Sequence, residues 1–206
     1  MAVSDGCSAS PSAEVGAMIT ARSAVYAGLR WAKENPHEHP SNAVHAVIAE
    51  VLATLRTVAQ SVGGASHAQV VIADMLLATL LVTIATPAGA AVFAIGDGVL
   101  GHGDDVRVER APEHSAIYLA AALDPRGLAP SARLFFSLSP AQVTHIVLGT
   151  DGAYGLFSRK QTPADLLTES LRARPASLRW QLESMVRDAA QTSDDDVTVA
   201  MLVRHG

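Results

Sequence analysis

The sequence predicts an α+β fold in a single domain spanning residues 1–206, and three observations carry that expectation. Two stretches of helical periodicity come first, over roughly 11–34 and 42–62. A run of short apolar segments follows, separated by Gly, Pro and Asp turns. The chain then returns to helical patterning and closes on one last apolar strand. Helices grouped apart from strands argue for antiparallel sheet with segregated helices, not a wound parallel sheet. The 206 residues suffice for one sizeable core. Nearly half of them, 49%, are hydrophobic and only 17% are charged, which excludes wholesale disorder. Aromatics make up 4%, so the core must be built from Ala, Val and Leu.

The elements can be justified in order. Residues 1–4 are short and apolar and stop at Asp5-Gly6. Ser10-Pro11 has the chemistry of a helix N-cap with proline at the first helical position. Val15, Met18, Ile19, Val25, Tyr26 and Leu29 then recur at helical spacing as the expected buried face. Asn35-Pro36-His37-Glu38-His39-Pro40 is a turn-rich connector. Ser41 or Asn42 caps a second helix with Val44, Val47, Ile48, Val51, Leu52, Leu55 and Val58 on one face, which Gly63-Gly64 is expected to end. Residues 77–84 and 90–95 read as neighbouring buried strands across Pro87-Ala88-Gly89. Gly96-Asp97-Gly98 reads as the next tight turn. Further strands are expected at 106–108, 116–119 and 143–148, with helices at 163–173 and 177–190 and a final strand at 197–203. Residues 124–140 read as a loop holding a short element. Trp31 and Trp180 are expected to pack on their helices.

Composition narrows the partners. A formal net charge of -5 leaves no basic footprint for nucleic acid. The one cysteine, Cys7, rules out a disulfide within the chain and fits a reducing, cytoplasmic setting. No basic start followed by an apolar stretch marks a signal peptide. Residues 75–95 carry no charge and imitate a membrane span, but the Pro-Ala-Gly interruption and the Val, Ile and Thr content favour two strands, so no membrane partner is expected.

Chemistry concentrates in aspartates. Asp5, Asp97, Asp151 and the cluster at 194–196 each stand at the edge of an apolar run, and three of the sites are Asp-Gly pairs. If those ends converge, they gather hard oxygen ligands suited to Mg2+ or Mn2+. Two such ions about 3.5–4 Å apart can share a hydroxide and clamp a phosphoryl oxygen. The plainer reading stands beside this one. Asp-Gly is also the commonest hairpin turn, and for Asp97, with strands on both sides, the turn is favoured. Asp5-Gly6 and Asp151-Gly152 lead toward helices, where a hairpin is less natural. The triple aspartate fits a solvated loop as well as a ligand. His37 and His39 read as a hydrophilic connector, His102 and His114 as surface residues, and His145 as a satisfied core histidine. Cys7 reads as a small packing residue.

The order of these motifs resembles the metal-dependent, 2C-like Ser/Thr protein phosphatases, in a bacterial or archaeal branch. Val3-Ser4-Asp5-Gly6-Cys7-Ser8 is similar to that family's first metal motif. Ile95-Gly96-Asp97-Gly98 resembles its Gly-Asp-Ser motif with Gly98 for Ser. Leu148-Gly149-Thr150-Asp151-Gly152 resembles its Ser-Asp-Gly motif with Thr150 for Ser, and Asp195-Asp196-Val197-Thr198-Val199 its Asp-Asn-x-Thr motif with Asp196 for Asn. The resemblance implies a four-layer α-β-β-α sandwich, two antiparallel sheets flanked by helices. It implies that Asp5 bridges two Mn2+ or Mg2+ ions with the Gly6 carbonyl on one of them, that Asp151 and Asp195 complete the pair, and that Asp97 shares a third, weaker position with Asp151. It further implies a phosphorylated protein as substrate and direct attack by activated water, with no phospho-enzyme.

Members of that family place a strand or two, with a phosphate-binding arginine and a further acidic residue, ahead of the first Asp-Gly. Here Asp5 is the fifth residue, and Arg22 and Arg30 fall on the first helix. The chain is therefore expected to be N-terminally incomplete relative to the family and weakly active or inactive as it stands. The competing expectation is a catalytically impaired phosphatase-like module that binds metal or a protein partner.

Overall fold

Two four-stranded antiparallel sheets face each other in the computed structural model, which describes residues 1–110, 118–124, 131–158, 175–191, 193 and 195–204. The first sheet has the order β1-β2-β3-β6, from β1 (Ala2–Val3), β2 (Leu80–Thr86), β3 (Gly89–Ile95) and β6 (Arg133–Leu138). The second has the order β5-β4-β7-β8, from β4 (Gly98–His102), β5 (Asp105–Glu109), β7 (His145–Gly149) and β8 (Val199–Val203). Helices α1 (Ala13–Glu34) and α2 (Val44–Val71) cover the first sheet. The short helix α3 (Tyr154–Ser158) packs on the outer face of the second, followed by α4 (Pro175–Ala190). This is the four-layer α-β-β-α arrangement that the resemblance implies.

The layers follow from how side chains alternate on a pleated strand. Along β2, Leu80, Val82 and Ile84 point to the helices, whereas Leu81 points between the sheets. Along β3, Phe93 and Ile95 join the helix side and Val92 and Ala94 the sheet interface. Both faces are buried, so these strands read as continuous apolar runs. The uncharged stretch 75–95 is thus mostly a hairpin, with Thr86 paired to Gly89 across Pro87-Ala88. The span Pro40–Leu76 is long and apolar enough to cross a membrane by length and composition alone. Its Val47, Val51 and Leu55 stripe is fully buried in the core shared with α1 and the first sheet.

Several expectations are corrected. The buried face of α1 is Ala13, Gly16, Thr20, Ala24, Ala27 and Gly28, while Met18, Tyr26 and Leu29 are 54%, 71% and 64% exposed. Close approach is sharpest at Gly16, where a Cβ would stand 2.4 Å from the Met75 carbonyl oxygen, while Gly28 faces the Ile84 side chain. It begins at Ala13 after Ser12, two residues beyond Ser10, whose hydroxyl instead donates to the Ala73 carbonyl at 2.7 Å. Helix α2 does not end at Gly63-Gly64. Gly64 takes φ 62° and breaks the helical run, which resumes to Val71 and closes in a π-helical turn, Ile72–Leu76. The start of α2 at Val44 follows a 3-10 turn, Pro40–Ala43, capped by the His39 ring accepting from Ser41 N–H. Leu119–Leu123 is a 3-10 turn where a strand was expected to end; 116–117 and the expected helix 163–173 lie outside the described residues. Trp31 packs against the helix–sheet core, but Trp180 is 68% exposed. His145 is buried as expected, with Nε2 3.1 Å from the Gly103 carbonyl.

Candidate metal centre

Strand ends deliver the carboxylates. Asp5 leaves β1 beside residue Thr79, and the two are doubly tied: Asp5 N–H donates to Thr79 Oγ1 at 3.0 Å, and Thr79 N–H to the Asp5 carbonyl at 2.8 Å. Gly6 bridges Ala78, and Cys7 N–H donates to the Leu77 carbonyl at 2.9 Å, so the segment keeps strand pairing past β1. A Cβ on Gly6 would stand 2.7 Å from the Ala13 carbonyl carbon, so a glycine is needed for α1 to start directly over the aspartate. Asp151 follows β7 and opens the 3-10 turn Asp151–Ala153 that runs into α3, with Gly152 N–H donating to Asp151 Oδ1 at 2.8 Å.

Asp195 comes from the loop entering β8. The Thr150 hydroxyl holds that loop, donating to the Asp196 carbonyl at 2.9 Å and accepting from Thr198 N–H at 3.0 Å. The loop backbone crosses so close that a Cβ on Gly152 would lie 2.4 Å from the Asp196 carbonyl oxygen. The three carboxylates meet: Asp5, Asp151 and Asp195 each offer an oxygen within 4.8 Å of the others. Asp5 and Asp151 are half-buried and Asp195 exposed, so the group opens to solvent on the Asp195 side.

The electrostatics call for a cation. Burial raises the Asp5 carboxyl first, a shared hydrogen bond and the charge of Asp151 raise it further, and Asp195 adds to both, against a lowering by the Gly6 N–H. Together they push Asp5 up to about 7. Like-charged carboxyls crowded at one point favour holding a proton or a cation between them. Oxygen-only donors at this density suit a hard divalent ion, so the residues present fit Mg2+ or Mn2+.

Asp97 is not one of the three that converge. It sits between β3, in the first sheet, and β4, in the second, so Gly96-Asp97-Gly98 is a crossover between sheets and not the hairpin turn expected. Gly96 at φ 89° and Gly98 at φ 147° give it turn chemistry all the same. The charge of Asp97 helps raise the phenols of both Tyr118 and Tyr154, each raised first by burial. Asp5 acts on the same Tyr118 and Asp151 on the same Tyr154. These two tyrosines, with Thr79, are residues beside the group that the sequence did not single out, whereas Thr150, before Asp151-Gly152, was part of a motif without a role of its own. Cys7 is buried, and hydrogen bonds from Tyr118 and Ser10 outweigh burial and lower its thiol.

The family profile described as protein phosphatase 2C matches residues 1–187. This chain belongs to the protein phosphatase 2C family. No curated protein matches the chain by sequence. Among solved structures, a bacterial serine phosphatase is 12% identical with a TM-score of 0.63, covering 100% of this chain and 85% of its own. The serine/threonine phosphatase Stp1 from Staphylococcus aureus is 13% identical with a TM-score of 0.59, covering 100% and 83%. PppA, described as a key regulatory component of T6SS in Pseudomonas aeruginosa, is 17% identical with a TM-score of 0.57, covering 98% and 84%. At these identities the likeness shows the protein phosphatase 2C fold alone, and the sheet order and helix layers described above are that fold.

Proposed function

We propose that this chain is a metal-dependent protein phosphatase acting on phosphoserine and phosphothreonine. Asp5, Asp151 and Asp195 would hold a pair of Mn2+ or Mg2+ ions, the Gly6 carbonyl would add a ligand, and Asp97 with Asp151 would offer a third, weaker position. The observation that carries the reading is the convergence of three carboxylates, remote in sequence, within 4.8 Å in a chain of this family. Bound divalent ions supply Lewis acidity, lowering the pKa of water and polarising a phosphoryl oxygen. The chain's own residues do the rest. A cation held between these carboxylates would favour the ionised form of Asp5, whose carboxyl is raised by burial first and then by Asp151 and Asp195. Thr79 and Thr150 fix the two loops so that the carboxylates do not splay apart. Asp195, on the exposed side, leaves an approach for a phosphorylated side chain carried on another protein.

The test is a Mn2+ titration followed by thermal unfolding and by hydrolysis of a phosphothreonine peptide. Saturating metal at about a hundred times its Kd adds roughly 2.7 kcal/mol, a rise in Tm of about 5–10 °C for a chain this size. Asp151→Asn is expected to abolish both the rise and the hydrolysis while the metal-free protein stays folded, because the amide removes one like charge from the group. Hydrolysis that persists in excess chelator would overturn the metal reading. A metal-induced rise in Tm without hydrolysis would leave the chain as a metal-binding module of the same fold.

A further inference from the structure

Three arginines of the second sheet and its neighbour lie over aromatic rings, and they differ in what else they do. Arg107 lies 4.7 Å from the Phe136 ring centroid and is paired to Asp105 at 3.0 Å. Arg133 lies 4.8 Å from Phe135 and is paired to Glu109 at 2.9 Å. Arg110 lies 5.5 Å from the Tyr154 ring and has no carboxylate partner among the described residues. The first two are closed ion pairs on a sheet surface. The third is an exposed guanidinium over a ring, with no ion pair to a described residue.

The ring that holds it belongs to the metal centre. Tyr154 is the residue on which the Asp151 turn closes, its N–H donating to the Asp151 carbonyl. Its hydroxyl donates to the Glu109 carbonyl at 2.5 Å, which locks the ring against the end of β5, immediately before Arg110. The negative charges of Asp97 and Asp151 and the positive charge of Arg110 all act on this one phenol, so the three are grouped around the same ring.

Charge balance says what such an arginine is for. Four carboxylates, those of Asp5, Asp97, Asp151 and Asp195, cancel two divalent cations and leave nothing for a phosphate dianion. A guanidinium presents donors in a planar fork that matches phosphate oxygens, and a ring beneath it favours one location for the charge. We propose that Arg110, lying over Tyr154 beside the Asp151 turn, binds the phosphate of the substrate. The proposal rests on the phosphatase reading for the identity of the substrate, but the phosphate-binding role stands or falls separately.

The probe is inorganic phosphate, titrated into the Mg2+-saturated protein by calorimetry, with Mg2+ affinity measured in parallel. Arg110→Ala is expected to weaken phosphate by about ten- to a hundredfold, the worth of one charge-assisted bidentate contact, and to leave Mg2+ affinity within about twofold. Arg110→Lys, which keeps the charge without the fork, is expected to fall between the two, and Arg110→Glu to abolish binding. In phosphopeptide hydrolysis the alanine variant raises KM more than it lowers kcat. Phosphate affinity that is unchanged in Arg110→Ala, or wild-type protein that binds no phosphate, overturns the proposal. Arg110-dependent phosphate binding without any hydrolysis would sink the phosphatase reading and leave this one standing.

Discussion

The Thr150 hydroxyl and the Asp196 carbonyl, 2.9 Å apart, fasten the end of β7 to the loop that carries Asp195. The same oxygen accepts from Thr198 N–H, and Thr150 N–H donates to the Thr198 carbonyl at 3.0 Å. One fully buried side chain therefore sets the spacing between Asp151 and Asp195. Thr150→Val keeps the shape but removes both hydrogen bonds to the part-buried Asp196 carbonyl and Thr198 N–H, at a cost of about 1 kcal/mol. We expect that loss in urea unfolding, together with a weaker Mg2+ affinity. Thr150→Ser, which keeps the hydroxyl, should recover most of both. A valine variant with wild-type metal affinity would show that the hydroxyl does not position Asp195.

His145 gives the protein a pH dependence with a definite sign. Burial lowers its pKa below 6.5, and the nearby His102 lowers it further, against the Gly103 carbonyl and Asp104, which raise it. In the unfolded chain the ring takes a proton near its ordinary value, so below 6.5 the unfolded state binds more protons than the folded one. Stability from this residue is complete above 6.5 and is lost as the pH falls through the lowered folded value. Urea midpoints of wild type and His145→Gln, measured at pH 7.5 and 5.5, should show a larger drop in the wild type. Equal drops would mean that the ring is charged in the folded protein.

The aspartates were legible because one dipeptide answers two needs. Asp supplies the carboxylate and Gly lets the next segment close over it, α1 over Gly6 and the 195–196 backbone over Gly152. Asp97 was misread because a crossover between sheets and a hairpin ask the same of the backbone, positive φ at Gly96 and Gly98, and sequence cannot say which sheet the next strand joins. Strand β6 hid for a different reason. A bulge shifts its register between Val92 and Phe93, which pair with Phe136 and Leu134, so Phe135 is an extra residue and two adjacent phenylalanines are both buried. Period-two alternation fails at that point. Helix α1 was misread through size: hydrophobic spacing gives weight to Met18, Tyr26 and Leu29, while the face actually buried is made of Gly, Ala and Thr. Arg110 and Tyr154 carry no sequence signal at all, since the turn after Asp151 and the end of β5 meet only in three dimensions.

Gly152 allows the sharpest separation of fold from site. A methyl group there would meet the Asp196 carbonyl oxygen at 2.4 Å and the Asp195 carbonyl oxygen at 3.2 Å, both of them backbone atoms that cannot swing aside as a side chain would. The obstruction lies in the approach of the two segments, so the loop at 195–196 must move outward by a large fraction of an ångström. Overpacking of this kind costs about 1–3 kcal/mol. The outward shift carries Asp195 away from Asp5 and Asp151, so Gly152→Ala should lose metal affinity out of proportion to its loss of stability. The control is Gly155→Ala, three residues on in α3, where an added Cβ meets nothing within 4 Å. It should leave metal affinity unchanged and stability equal to wild type or slightly higher, since alanine is the better helix former. Calorimetric Mg2+ titrations and urea midpoints of the two variants decide the matter: equal Mg2+ affinities would mean that the loop closure over Gly152 does not shape the centre.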